Sequence, residues 1–395
     1  MKSTAISRSF LVFLLFLFTL MMSTRPAGAQ ATAAANNYTF VVNTTADTHD
    51  INPGDGMCAD SSGNCSLRAA IEEADALSSG SNITITVPAG TYKLTLGTLS
   101  LTANTITING AGNSATSIVG NYKFTIMQVF PAVSVFLNQL SISAGKGKHG
   151  GGINNEGQLS VSNSTISGNK AGKPGWGKGA GIYNVGMLTV NNSTLSGNSH
   201  VYLGAGIYSA SPGTVNISNS TISGNTAGVG GGLLNYYGNV TIANSTISGN
   251  SASDGGGLYN YYGIMSITNS TISGNSYNQG TGISSYNAGG GSVTLTATIV
   301  AHNSCYGPIA EGVGYNLEDG TSCGFHLSTD LNNTDPMLGP LSNNGGPTST
   351  MALLQGSPAI DRVALNSCSS TDQRGYARPD KSESACDIGA YESAY

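Results

Sequence analysis

Short runs of alternating apolar and polar residues fill the middle of the chain, and they return at a fixed interval. In VTIANSTISGN from Val240, the residues Val240, Ile242 and Ile247 each have polar neighbours, and beyond a loop through Ser253 the stretch GGGLYNYYG from Gly255 adds Leu258. Alternation of this kind turns one face of a strand inward. The segment NSTISGN recurs from Asn163, Asn219, Asn244 and Asn269. It returns as NSTLSGN from Asn192 and in degenerate form as ATIVAHN from Ala297, with QLSISAG leading in. The period is about 25 residues. Three inward stacks follow. Val161, Val190, Ile217, Ile242, Ile267 and Leu295 form the first, and Ile142, Ile166, Leu195, Ile222, Ile247, Ile272 and Ile299 the second. Ile153, Ile182, Ile207, Leu233, Leu258 and Ile283 form the third. No helical period fits, and propeller blades need roughly 40 residues. The pattern predicts an all-β, right-handed, single-stranded parallel β-helix, a pectin-lyase-like solenoid with three short strands per coil.

Stacked coils place identical residues in ladders about 4.8 Å apart. Asn169, Asn198, Asn225, Asn250, Asn275 and Asn303 are expected to form one, with asparagine tolerating left-handed turn geometry and its amide bonding above and below. The preceding glycines, such as Gly224 and Gly249, suit a tight corner. Open ends of such a solenoid expose strand edges, so caps are expected. Ser66 to Leu77 reads as an amphipathic helix, with Ser66 as N-cap and Leu67, Ala70, Ile71, Ala74 and Leu77 on one face. It stands where an N-terminal cap belongs. The final ninety or so residues lose the period and gain Pro and Cys, as a C-terminal cap or module would.

The first residues read as a leader. Lys2 and Arg8 precede an apolar run from Leu11 to Met22, and Ala27-Gly28-Ala29 offers a cleavage site. The expected layout is a signal peptide at 1–29, an N-terminal segment with helical cap at 30–80, β-helix repeats at 81–303 and a disulfide-containing module at 304–395. The run is too short to span a membrane and no later stretch approaches that length, so the expectation is a secreted protein, free or associated with the cell surface. Six cysteines fall into the local pairs Cys58 with Cys65, Cys305 with Cys323 and Cys368 with Cys386, as an oxidising compartment favours. Only 9% of residues are charged and 55 are glycine, far from ordinary globular usage. A net charge of −5, with neither a basic patch nor a nucleic-acid motif in the sequence, does not point to nucleic acid.

Catalytic chemistry is sparse. Between Gln139 and Asn303 the acidic residues are Glu156 and Asp254, about four coils apart, too far for a glycosidase pair. No arginine lies between Arg68 and Arg362, so a lyase base would have to be Lys146, Lys148, Lys170, Lys173 or Lys178, which read more simply as solvated loop charges. His149, His200 and His302 are scattered, without nearby carboxylates in sequence. Two candidate sites remain. Asp50, Asn52, Asp55 and Asp60 offer hard oxygens for a structural calcium, the alternative being an Asx-rich turn bounded by a disulfide. Tyr183, Tyr208 and Tyr259 share one repeated position, and Tyr236-Tyr237 returns as Tyr261-Tyr262 one coil later. These phenols would bind an extended glycan, or would form a ladder that merely stabilises successive coils. No other cofactor is expected.

Three stretches carry resemblances. VVNTTADTHDINPGDGMCADSSGNCSLRAAIEEAD, from Val41 to Asp75, resembles the CSLREA-motif domain that begins exported bacterial β-helix proteins, with Ala70 where Glu is usual. The pairing of G-[GA]-G-[IL] with I-S-G-N is similar to the repeats of polymorphic outer-membrane proteins, whose passenger regions are adhesive, although Ile or Leu replaces Phe in most units. DPMLGPLSNNGGPTSTMALLQGSPAID from Asp335 and CDIGAYE from Cys386 resemble the choice-of-anchor Q module. None of these carries a defined reaction. They imply an adhesive, glycan-binding or structural role, with an extracellular glycan or cell-surface protein as partner. The rival reading is a polysaccharide lyase or glycoside hydrolase built on the same solenoid.

Overall fold

Three parallel sheets of 11, 10 and 9 strands run side by side along the chain. The computed structural model describes residues 36–394 except 173–176, 200, 276–280, 287–289 and 381–383. The leader expected at 1–29, with Lys173 and His200, lies outside the described residues. One coil shows how the sequence makes the prism. Thr214–Ser218 joins the first sheet, Thr221–Ser223 the second and Leu233–Tyr236 the third, and each pairs in register with the equivalent strand one coil earlier and later. The first sheet supplies two inward stacks. Beside Val190, Ile217 and Ile242 run Leu188, Val215 and Val240, all nearly inaccessible to solvent.

The tripeptide Asn-Ser-Thr is a corner device. Asn163, Asn192, Asn219, Asn244 and Asn269 take φ between 46 and 50°, the left-handed bend that asparagine adopts more readily than other non-glycine residues. The serine that follows is buried. Ser193 Oγ donates to Asn191 O at 2.7 Å and accepts from Ser164 N at 3.1 Å, so each coil is hydrogen-bonded to the next through its hydroxyl. The threonine faces outward.

The expected asparagine ladder forms, though not with the expected backbone. Asn198 Nδ2 donates to Asn225 Oδ1, Asn225 Nδ2 to Asn250 Oδ1 and Asn250 Nδ2 to Asn275 Oδ1, each at 2.9 Å, and Asn275 N donates to Asn303 Oδ1 at 2.7 Å. The left-handed corner belongs to the residue before each of them, a glycine as at Gly224 with φ 62° and, before Asn303, His302 with φ 51°. A second correction concerns Ile299. Val300 pairs with Ile272 and continues the inward stack, whereas Ile299 pairs with Thr271 and faces out. The degenerate repeat is displaced by one residue, which reverses the faces of a strand.

The N-terminal end is covered by a helix. The helix is Leu67–Ala76, and Ser66 Oγ accepts from Ala69 N at 3.0 Å. Its apolar face, Leu67, Ala70, Ile71, Ala74 and Leu77, joins the core at the first coils. Strand Asn37–Val41 lies N-terminal to the helix in sequence yet opens the first sheet by pairing with Asn82–Val87. Buried Arg68 fastens this cap. Its guanidinium donates to Asp47 Oδ1 at 2.7 Å and to the Gly97 and Thr98 carbonyls. Desolvation raises the Asp47 pKa, but hydrogen bonds from Arg68, Leu96 N and Thr95 N outweigh it and hold the carboxyl below its ordinary value. A carboxyl with a lowered folded pKa contributes stability above its unfolded value, near pH 3.8, and loses it as the pH falls through the folded value. The destabilisation caused by Asp47→Asn should therefore be full at pH 6 and shrink steadily below about pH 4. Melting of both proteins across that range checks this.

At the other end the chain turns back along the second sheet. Thr221, Thr246 and Thr271 are buried there. Gln373 Nε2 donates to Thr221 Oγ1 at 2.9 Å, Thr246 Oγ1 donates to Gln373 Oε1 at 2.6 Å, and Ala390 N donates to Thr271 Oγ1 at 3.1 Å. Ile299, Ala297 and Ala301 pack against Leu353, Ala359, Val363 and Ile388, which explains why the last repeat carries apolar residues on its outward face. The three local disulfides form as paired in the sequence. The second lies within the solenoid, since Cys305–Tyr306 pairs with the strand from Ile283.

Candidate functional site

The third sheet carries the aromatic residues on its outer face. In Leu233–Tyr236, Leu233 and Asn235 point inward, so Leu234 and Tyr236 point out. One outward column reads Asn154, Tyr183, Tyr208, Leu234, Tyr259, Ser284 and Tyr306, and the next reads Ala210, Tyr236, Tyr261 and Tyr286. Tyr183, Tyr208 and Tyr259 thus share a position, with Leu234 between the last two. Tyr237 and Tyr262 occupy the adjoining corner in left-handed conformation.

The rings join into one ribbon. Tyr183 stacks on Tyr208 at 5.4 Å, Tyr208 on Tyr236 at 6.4 Å, Tyr236 on Tyr261 at 5.1 Å and Tyr261 on Tyr286 at 5.7 Å, with interplanar angles from 0 to 22°. Tyr237 stacks on Tyr262 at 5.1 Å and both meet the ribbon edge-on. Tyr259 lies 6.5 Å from Tyr261. Tyr208 is 2% exposed, while Tyr236, Tyr237 and Tyr286 are 40, 49 and 46% exposed, so the ribbon emerges toward its C-terminal end. Sequence reasoning passed over Tyr286, although it follows Ile283 as Tyr261 follows Leu258. His149, one of the histidines scattered in the sequence, stacks its ring on Tyr183 at 4.6 Å across a coil of intervening sequence.

A rim borders the first column. Isolated bridges join His149 to Lys178, Lys178 to Leu203 and Val229 to Asp254, with Leu203 and Val229 paired between them. Asp254 accepts from Thr281 Oγ1 at 2.7 Å and from Ser284 Oγ. Glu156 accepts from Asn154 Nδ2 at 3.1 Å. Burial, then Lys148 and Lys178, hold the His149 imidazole below its usual range, so it is neutral at pH 7. Burial raises the Tyr208 phenol, and burial with Asp254 pushes Tyr259 up to about 12. Those two phenols are therefore protonated at neutral pH. Among the described residues, no ribbon hydroxyl has a hydrogen-bond partner in the protein.

The carboxylates of the acidic loop accept hydrogen bonds from the chain around them. Asp50 accepts from Asn52 N and Ala59 N, Asp55 from Met57 N, and Asp60 from Ser62 N, Asn64 N and Thr48 Oγ1. Each aspartate closes its own turn, and among the described residues no group of three or more acidic, His or Cys side chains is placed to hold a metal. Two hollows lie away from the ribbon. One, of about 430 Å³, is lined by Arg68, Glu72 and Asp75 beside the cap helix. The other, of about 490 Å³, is lined by Arg374, Tyr376 and Tyr391 in the C-terminal module. In the first, Asp75 accepts from Thr102 N and Ala103 N, and Glu72 accepts from Asp50 N, so both carboxylates hold the cap together.

A family model described as a right handed beta helix region matches residues 149–330. The chain carries a right-handed parallel β-helix. The crystal structure of pectate lyase Pel9A is similar, with a TM-score of 0.53 at 16% identity, covering 91% of this chain and 97% of that one. At that identity the likeness of the two β-helices is one of fold. No curated protein matches the chain. Among the described residues of this β-helix, no helix is long and apolar enough to cross a membrane.

Proposed function

We propose that this protein is a secreted or surface-associated β-helix that binds glycan chains along its tyrosine ribbon. One observation carries the reading: a row of phenols crosses successive coils, their hydroxyls unpaired within the protein and their C-terminal members exposed. A phenol combines an apolar body with a polar tip, and unpaired hydroxyls at a regular repeat offer hydrogen bonds to an extended polymer of hydroxyl-bearing units. The three disulfides and the low charge suit an extracellular setting. The resemblances to adhesive repeats and to an anchor-type module agree with it.

Replacing Tyr236, Tyr237, Tyr261 and Tyr262 together with alanine should weaken glycan binding about tenfold or more, since each truncation removes a hydrogen-bonding tip and ring surface. Retention of the protein in gels containing a panel of neutral and acidic polysaccharides measures this. Equal retention of the variant and the native protein would count against the ribbon. The rival reading, a carbohydrate-active enzyme, draws on the hollow that gathers Arg68, Glu72 and Asp75. New reducing ends or unsaturated products from the same panel would favour it over binding alone.

A further inference from the structure

Coiling gathers lysines that the sequence disperses. Lys146 and Lys170 are register partners in a short extra pair of strands, and the bridge from His149 to Lys178 lies beside them, with Lys148 next to His149 in the chain. Partners on successive coils are about 4.8 Å apart, so like charges stand side by side, an arrangement that repels. Among the described residues, none of Lys146, Lys148, Lys170 and Lys178 pairs with a carboxylate. The chain from Ala76 to Ser253 holds a single acidic residue, Glu156. The lysines also reach aromatic rings. Lys178 Nζ lies 5.0 Å from the centre of Tyr208, within the ribbon, and Lys170 Nζ lies 4.4 Å from that of Tyr122.

One end of the ribbon is thus cationic in a protein whose net charge is −5. We propose that this strip binds an acidic polysaccharide, a chain bearing uronate carboxylates or sulfate esters, whose anionic groups meet Lys146, Lys148, Lys170 and Lys178 while its hydroxyls meet the tyrosines. The proposal rests on reading the ribbon as a glycan site. Nucleic acid fits less well. Single strands bind by stacking bases on open aromatic faces, and here the rings are stacked on one another, leaving edges and hydroxyls outermost.

The test uses the full chain with four kinds of probe: a polyuronate, a sulfated glucan, the same glucan without sulfate, and single-stranded DNA. Combined Lys146→Gln, Lys148→Gln, Lys170→Gln and Lys178→Gln substitutions should weaken binding of the acidic polymers about tenfold or more and flatten its salt dependence. Binding of the neutral glucan should stay unchanged. The four Lys→Arg replacements, which keep the charge, should restore acidic binding and exclude misfolding as the cause. Preference between the polyuronate and the sulfated glucan identifies the anionic group. If the native protein binds neutral and acidic polymers alike and without salt dependence, the lysine proposal fails and the ribbon reading stands. If no glycan is retained, both fail. Binding of DNA more tightly than either acidic polymer at the same salt would overturn the proposal in favour of nucleic acid.

Discussion

Asn225→Ala is expected to destabilise the protein by about 3–5 kcal/mol, because several buried polar groups lose their partners at once. Asn225 is inaccessible to solvent. Its Nδ2 donates to Leu195 O at 3.0 Å and to Asn250 Oδ1 at 2.9 Å, and its Oδ1 accepts from Asn198 N at 3.0 Å and from Asn198 Nδ2 at 2.9 Å. Alanine leaves the Leu195 carbonyl and the Asn198 amide N–H without those bonds inside the coil, where water does not replace them. Asn225→Asp should cost at least as much, since a carboxylate cannot donate to Leu195 O and would carry charge into the stack. Exposed Asn163 is the contrast: Asn163→Ala should cost roughly 1–2 kcal/mol, the penalty for its left-handed φ of 49°. The urea midpoints of the three variants, with their slopes, rank these effects.

The second large effect lies across the corner from that ladder. Gly206 has no Cβ because the next coil leaves no room for one. An added Cβ would lie 2.3 Å from Gly232 O and 3.3 Å from Asn225 Nδ2. Gly181 and Gly232 are equivalent, with Cβ positions 2.5 and 2.4 Å from the next carbonyl oxygen. Gly206→Ala should destabilise by about 3 kcal/mol or more, since relieving the overlap means spreading two coils that hydrogen bonds hold together. Gly249→Ala meets nothing within 4 Å and is limited to the left-handed penalty at φ 64°, about 1–2 kcal/mol. Thermal melting separates the two alanine variants. A Gly206→Ala protein as stable as Gly249→Ala would show that the corner is looser than its geometry.

Much of the prism is legible in the sequence because a parallel coil converts a sequence interval into a vertical stack. Ile217 and Ile242 share a position in the repeat and therefore share a position in the first sheet. The cap helix was legible for a different reason, since the Ser66 cap and the spacing of Leu67, Ile71 and Ala74 are local features. Legibility failed where the repeat was degenerate. In ATIVAHN both Ile299 and Val300 are apolar, and only the docking of the C-terminal module on Ile299 shows why the outward position gave up its threonine.

The aromatic ribbon was half legible. Tyr236-Tyr237 and Tyr261-Tyr262 repeat in sequence, so their stacking follows from the coil. His149 does not repeat, and its contact with Tyr183 depends on the length of the loop between one coil and the next. The lysines, read from the sequence as solvated loop charges, come together for the same reason. Lys146, Lys148, Lys170 and Lys178 form no run, and the 24 residues between Lys146 and Lys170 become side-by-side contact only when their strands pair.

The amino-acid sequence by itself determined the prism, its three inward faces, the asparagine stack and the disulfide pairs, because each depends on local alternation, on a constant interval or on cysteines close in the chain. Only the tertiary structure decided which residue of each corner is left-handed, which face the C-terminal module covers, and which charges and rings meet along the third sheet. Those outcomes depend on loop lengths and on register between coils, where a shift of one residue reverses a face and a change in loop length moves a side chain to a different neighbour.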